Sequence, residues 1–206
     1  SYSNTRGKTI LTRQMDRGIK HDTYYVYDLR DSLVCVIQPM GVDAIEDGFT
    51  FNSDLVKDYC FTYKYDDSGN VIEQHVPGGG TQYMAYDLRG RLVLRTDSNL
   101  ISKNLFIYIE YDQMDRVICE AYCNISQGIE HIRRLLNENE EWYDLRSNVN
   151  LLRECTYYSP GNIPSGFVDE SGIVNQSEVS PEYSMTLLAT EKIYENPYVS
   201  ASAQRS

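Results

Sequence analysis

A chain of 206 residues is long enough for one large domain or two small ones, and 41% hydrophobic with 24% charged residues separates it from disordered sequences. A net charge of -11 and a pI near 4.7 repel phosphate backbones and argue against a nucleic-acid partner. No run approaches the roughly eighteen apolar residues that a membrane-spanning helix needs.

The opening, Ser1 to Arg6, has no hydrophobic signal core, and the missing initiator Met marks the sequence as an expected piece of a longer chain. Tyrosine is the compositional outlier, with 18 Tyr against 5 Phe and 1 Trp. Such a skew fits an extended sheet whose surface uses large side chains with a polar end.

In chain order, Tyr25 and Tyr27 share one face of a predicted strand that runs into Asp28. Leu33, Cys35 and Ile37 restart a return strand, which Gln38-Pro39-Met40-Gly41 is expected to stop and reverse. Asn52 to Tyr59 reads as a short helix capped by Asn52 or Ser53. It feeds a strand with Tyr59, Phe61, Tyr63 and Tyr65 on one face. Val76-Pro77-Gly78-Gly79-Gly80 ends the next return strand. Met84 with Tyr86, Leu92 with Leu94, and Ile107, Ile109 with Tyr111 continue the alternation. Val34, Val36, Ile72, Val76, Val93 and Ile118 lie on the opposite face, so the sheet needs cover on both sides. Ser126 to Glu141 places Ile129, Ile132, Leu135 and Leu136 at helical spacing and reads as an amphipathic helix. Beyond it, Leu151 to Tyr158 and Met185 to Tyr194 are expected strands joined by a long Gly/Pro/Ser loop.

Four places share the pattern Y-D-x-x-[G/D]-x-[L/V]. They are Tyr27-Asp28 with Asp31 and Leu33, Tyr65-Asp66 with Gly69 and Val71, Tyr86-Asp87 with Gly90 and Leu92, and Tyr111-Asp112 with Asp115 and Val117. A degenerate fifth copy is expected at Tyr143-Asp144-Leu145-Arg146-Ser147-Asn148-Val149. A strand runs into the Tyr, and the Asp carboxylate accepts backbone N–H groups where the turn begins. Gly, or the Asp that tolerates the left-handed region, closes a bulged hairpin. Turn chemistry of this kind leaves Asp28, Asp66, Asp87 and Asp112 no catalytic or calcium-binding role.

These units, with the flanks Thr23-Tyr24-Tyr25-Val26-Tyr27-Asp28, Val36-Ile37-Gln38-Pro39 and Tyr63-Lys64-Tyr65-Asp66, resemble the YD repeats of RHS proteins, teneurins and the shell components of insecticidal toxin complexes. The match is good over about residues 7 to 125 and weak beyond. The resemblance implies a β-hairpin sheet that spirals into a hollow shell lined by Tyr and, in complete members, encloses a C-terminal toxin or effector. The chain departs from that pattern. It has too few units to close a shell and contains no Asp-Pro dipeptide, with which the self-cleaving RHS core motif begins. Only the scaffold carries over.

His21, His75 and His131 are scattered without metal-ligand spacing, and no nucleophile elbow, phosphate-binding or dinucleotide-binding loop occurs. Cys35, Cys60, Cys119, Cys123 and Cys155 are an odd set without C-x-x-C and read as small buried hydrophobes. The expectation is therefore a mainly β protein of consecutive antiparallel hairpins in an extended twisted sheet, with one or two short helices. Residues 1–125 form the hairpin region, 126–141 a helical insertion, and 142–206 a degenerate repeat with irregular β structure. No catalytic, cofactor-binding or metal-binding residue is assigned. The expected function is a noncatalytic structural module of a secreted or bacterial cell-surface RHS/YD-repeat protein. Its partners would be the rest of the parent chain and a C-terminal effector or carbohydrate. The alternative is a carbohydrate-binding module whose ligand face carries Tyr25, Tyr63, Tyr65 and Tyr86.

Overall fold

The computed structural model describes residues 1–46, 53–157 and 188–194. Its strands are β1 (Tyr2–Ser3), β2 (Thr9–Asp16), β3 (Ile19–Tyr27), β4 (Leu33–Ile37), β5 (Cys60–Tyr65), β6 (Val71–Val76), β7 (Gly80–Tyr86), β8 (Leu92–Asp97), β9 (Leu105–Tyr111), β10 (Val117–Asn124), β11 (Ser147–Tyr157) and β12 (Leu188–Ile193). These twelve strands form one antiparallel sheet in chain order. Chain order in an antiparallel sheet means that each connection joins neighbours, which is the arrangement that alternating strands and tight turns dictate. The late strands expected around Leu151 and Met185 are β11 and β12; the ends of both expected segments lie outside the described residues.

Four helices interrupt the strands: α1 (Pro39–Glu46), α2 (Ser53–Tyr59), α3 (Ser98–Ile101) and α4 (Ile129–Asn137). Helix α2 is the expected one, though Asn52, its candidate cap, lies outside the described residues. Helix α1 corrects the reading of Gln38-Pro39-Met40-Gly41 as a plain reversal. Strand β4 does stop there, but Pro39 opens a helix, and the Gln38 carbonyl accepts the N–H groups of Gly41 (2.9 Å) and Val42 (3.0 Å). Proline is well suited to a first helical position, where its missing N–H has no partner to lose. Helix α4 is shorter than the span 126–141, because Gly128 (φ 76°) and Asn139 (φ 56°) lie in the left-handed region at its two ends. The fifth repeat copy is likewise corrected. Tyr143–Leu145 form a 3-10 turn, and the chain enters β11 at Ser147 without a hairpin bend.

The chain divides into two compact units. One comprises Ser1–Phe106 with Ile125–Leu145, the other Ile107–Asn124 with Arg146–Ser206. In the first, α1 and α2 cover the β3–β5 region, where Cys35, Leu55 and Cys60 form a buried cluster with Ile37, Ile45, Val56 and Tyr59 packed on it. Gly41 permits the close approach of the two helices, since a Cβ there would lie 2.8 Å from the Cβ of Tyr59. Farther along, α4 packs on β7 with Ile129, Ile132, Leu135 and Leu136 all buried, each contributing about 1.5–3 kcal/mol against exposure. In the second unit, Ile107, Tyr108 and Ile109 of β9, Cys119, Ala121, Tyr122 and Cys123 of β10, and Cys155 of β11 are buried. All five cysteines are buried free thiols, and burial pushes the Cys60 and Cys123 thiols up to about 12. They pack as small apolar side chains.

Candidate functional site

The candidate site residues sit at hairpin bends that repeat one set of hydrogen bonds. At the first, Asp28 Oδ1 accepts the N–H of Arg30 (2.8 Å) and of Ser32 (2.8 Å). Asp66 Oδ1 accepts those of Ser68 (3.0 Å) and Asn70 (2.8 Å), and Asp87 Oδ1 those of Arg89 (3.0 Å) and Arg91 (2.9 Å). Asp112 Oδ1 accepts those of Met114 (2.8 Å) and Arg116 (3.0 Å). In each bend the Asp N–H donates to the carbonyl four residues on, and the residue three after the Asp donates back to the Asp carbonyl. That residue has a positive φ in all four: Asp31 at 62°, Gly69 at 86°, Gly90 at 76° and Asp115 at 62°. Asp occupies the left-handed region because its short side chain tolerates it best after Gly and Asn.

The sixth position of the pattern supplies the second carboxylate oxygen with a partner. Asn70 Nδ2 donates to Asp66 Oδ2 (2.9 Å), Arg91 Nε to Asp87 Oδ2 (2.7 Å), and Arg116 Nε to Asp112 Oδ2 (2.7 Å). Burial pushes the Asp112 carboxyl up, but the Arg116 side chain and the N–H groups of Arg116 and Met114 outweigh it and hold the group below its ordinary range. Within the first unit adjacent bends also touch, Arg6 to Asp31 at 2.9 Å and Arg30 to Asp67 at 3.2 Å. Those pairs are exposed and stabilise little.

Sequence reasoning missed the β2–β3 reversal at Arg17 and Gly18, and one bend of the kind just described. Asn4 Oδ1 accepts the N–H groups of Arg6 (3.0 Å) and Lys8 (2.9 Å), the Asn4 N–H reaches the Lys8 carbonyl (2.9 Å), and Gly7 stands at φ 80°. Ser3 replaces the Tyr and Asn4 the Asp, so the only remaining signal is a side-chain amide three residues before a Gly.

The tyrosines have a second role. Tyr65 Oη donates to the carbonyl of Leu33 (2.8 Å), the residue that starts the return strand of the preceding copy. Tyr27 Oη does the same to Thr9 (3.0 Å), after the Asn4 bend, and Tyr157 Oη to Val117 (2.8 Å), after the Asp112 bend. Tyr157 thus takes the place expected of Tyr143. The signal was present as Tyr157, Gly161 and Ile163 at the spacing of the pattern, with Tyr158 in place of Asp; the last three lie outside the described residues. Tyr86 breaks the series, its hydroxyl lying 3.7 Å from the Met84 sulfur.

Of the four tyrosines on the expected ligand face, the structure brings three into two neighbouring cavities. Tyr63 and Tyr65 line one of about 630 Å³ beside the Asp66 bend. Tyr65 and Tyr86 line another of about 760 Å³ between that bend and α4. Tyr25 lines neither, and its hydroxyl accepts from Thr12 Oγ1 at 3.1 Å. All four rings are half-buried. Burial raises the Tyr65 hydroxyl pKa, with Tyr63 and Asp28 adding to it, and burial with Asp66 raises that of Tyr86. Asp28, Asp66, Asp87 and Asp112 stand one per bend. Among the described residues no group of three or more His, Cys, Asp or Glu side chains is arranged to hold a metal. No helix among them is long and apolar enough to cross a membrane.

No protein-family model matches the sequence, and no curated protein matches it. Solved structures do. The chain is similar to part of the crystal structure of TcdB2-TccC3, with a TM-score of 0.50 and 15% identity over 75% of its length. A crystal structure of TcdB2-TccC3 without its hypervariable C-terminal region gives a TM-score of 0.48 and 15% identity over 74%. The Photorhabdus luminescens Tc holotoxin pore carrying TccC3-D651A gives 0.44 and 15% over 68%. The likeness is one of fold, and the chain spans about 6% of the length of the TcdB2-TccC3 chain it matches.

Proposed function

We propose that this chain is a noncatalytic scaffold segment of a longer RHS/YD-repeat protein, in which tandem hairpins build a continuous β wall. The observation that carries the proposal is a pair of recurring connections. An Asp or Asn carries its own bend, and the hydroxyls of Tyr27, Tyr65 and Tyr157 each fasten one copy to the start of the preceding return strand. Groups already committed to two or three hydrogen bonds of the fold serve the wall and do no chemistry. The fold likeness to TcdB2-TccC3 and the YD pattern support the same reading, and the parent it implies is secreted or displayed on a bacterial surface. In such a parent the partners are neighbouring hairpins of the same chain and an effector segment.

The reading is tested by changing Asp28, Asp66, Asp87 and Asp112 singly to Ala, which removes the acceptor of both backbone N–H groups. Each variant should lose about 1–2 kcal/mol of stability, the net worth of two hydrogen bonds, and show no turnover change in a broad hydrolase screen. A variant that keeps its stability and loses a measurable turnover of the wild-type chain would overturn the scaffold assignment.

A further inference from the structure

Bulges in two successive hairpins leave the same gap in the sheet, and α4 fills one of the two. Opposite Tyr27, Val34 is an extra residue between Leu33 and Cys35; opposite Tyr65, Ile72 is one between Val71 and Glu73. An extra residue of this kind interrupts the ladder where it sits. The β4–β5 pairing accordingly stops at Cys35 with Thr62, and the β6–β7 pairing at Glu73 with Tyr83. The next rungs in those registers, Val34 with Tyr63 and Ile72 with Met84, are not paired. At the second of them the Arg133 guanidinium, brought by α4, donates to both carbonyls, Ile72 at 2.5 Å and Met84 at 3.0 Å. Each rung borders a cavity at the same place in its copy. One of about 760 Å³, walled by Ile72 and Tyr86, is closed by α4. The other, of about 630 Å³ and walled by Val34 and Tyr65, lies between the Asp28 and Asp66 bends and has no helix residue in its lining.

The Asp28 bend lacks a second partner that the later bends have. Asn70, Arg91 and Arg116, at the sixth position of the pattern, each donate to Oδ2 of their Asp. Ser32 stands at that position in the first bend, and Asp28 Oδ2 makes no hydrogen bond or ion pair among the described residues. Asp28 lines the open cavity. The two cations of its lining are already paired, Arg30 with Asp67 at 3.2 Å and Lys64 with Glu73 at 2.7 Å.

We propose that the groove between the Asp28 and Asp66 bends is the docking site for an arginine carried on a helix of a partner protein. The chain itself holds the precedents. Arg133 of a packed helix occupies the equivalent rung, and the guanidinium groups of Arg91 and Arg116 occupy the equivalent Oδ2. A guanidinium presents several donors in one plane and suits carbonyl and carboxylate acceptors side by side, which an ammonium does not. The net charge of -11 draws a basic partner. A second copy of the chain does not supply the helix, because Ile129, Ile132, Leu135 and Leu136 of its α4 are buried in its own fold.

The scaffold reading is tested through stability, whereas this one is tested through binding, so either can fail alone. A synthetic peptide of residues 126–139, which carries Arg133, serves as the helix probe and is titrated into the whole chain. Amide NMR shifts at Val34 and Tyr63 should move and saturate by about 1 mM peptide. Peptides with Arg133→Gln or Arg133→Lys should bind about tenfold more weakly, the loss of one charge-assisted hydrogen bond. In the whole chain, Ser32→Arg should weaken binding of the Arg133 peptide by a similar factor. Its new side chain takes Asp28 Oδ2 as Arg91 takes that of Asp87, and an unreduced melting temperature will show that the fold is kept. No saturable shift at Val34 and Tyr63, shifts confined to α4 and β7, or equal binding by the three peptides would each overturn the proposal. So would an affinity that a folded Ser32→Arg chain leaves unchanged.

Discussion

The tyrosine clasp makes a contrast that two single-atom changes can read. Tyr65→Phe removes the hydroxyl that donates to the Leu33 carbonyl at 2.8 Å and leaves that carbonyl half-buried without its partner. The net worth of such a bond is about 1 kcal/mol. The ring stays, so packing is unchanged and no cavity forms. Tyr86→Phe removes a hydroxyl whose neighbour is a sulfur at 3.7 Å, and should cost under about 0.5 kcal/mol. Trp142 is the only tryptophan, is 2% exposed, and lies in the same compact unit as both tyrosines. Urea titration followed by its fluorescence therefore reports the unit concerned. Tyr65→Phe should lower the midpoint at constant slope and lower the melting temperature by about 3 °C, while Tyr86→Phe stays close to wild type. Equal losses in the two variants, or no loss in Tyr65→Phe, would refute the idea that the hydroxyl fastens one copy to the last.

Gly90 stands at φ 76° with the nearest atom to an added Cβ at 3.8 Å, so only backbone strain opposes substitution. Gly90→Val should cost about 1–3 kcal/mol, whereas Gly90→Asp, the residue used at the same place in two other bends, should cost less than half as much in thermal denaturation. Asp112 titrates below its ordinary value in the folded chain. Its contribution is therefore fully present above about pH 4 and is lost as pH falls toward the folded value. Melting curves from pH 5 downward should show a shallower acid decline in Asp112→Asn than in wild type. Arg133→Met should cost about 2 kcal/mol and speed hydrogen exchange in α4, and Arg133→Lys should fail to restore it, because an ammonium cannot reach two carbonyls at once as the guanidinium fork does.

The local code was legible where it is written in few residues. Tyr65-Asp66-Asp67-Ser68-Gly69 specifies a strand end, a carboxylate acceptor and a positive-φ closure, and these need nothing from distant parts of the chain. Period-two alternation placed β3 to β10 but not β1 or β2, and the 3.6-residue spacing of Ile129, Ile132, Leu135 and Leu136 placed α4. The failures share a cause. Pro39 stops a strand and starts a helix with equal ease. The outcome depended on α1 finding cover against α2, at a Gly41 with no room for a Cβ beside Tyr59. Asn4 keeps the bend but not the Tyr, and Tyr143 keeps the Tyr-Asp pair but not the strand that must precede it.

Sequence alone thus determined the four hairpins of the Tyr-Asp pattern, their bends and the mainly β class, because a turn is decided by the dihedral preferences and short side chains of four or five consecutive residues. Tertiary structure alone decided which tyrosine hydroxyl reaches which carbonyl, that Arg133 ties α4 to the carbonyls of Ile72 and Met84, and that a groove opens beside α4. Those contacts join residues 18 to 61 positions apart, from Tyr27 with Thr9 to Arg133 with Ile72, and only the packed chain sets which donor arrives first at a shared acceptor row.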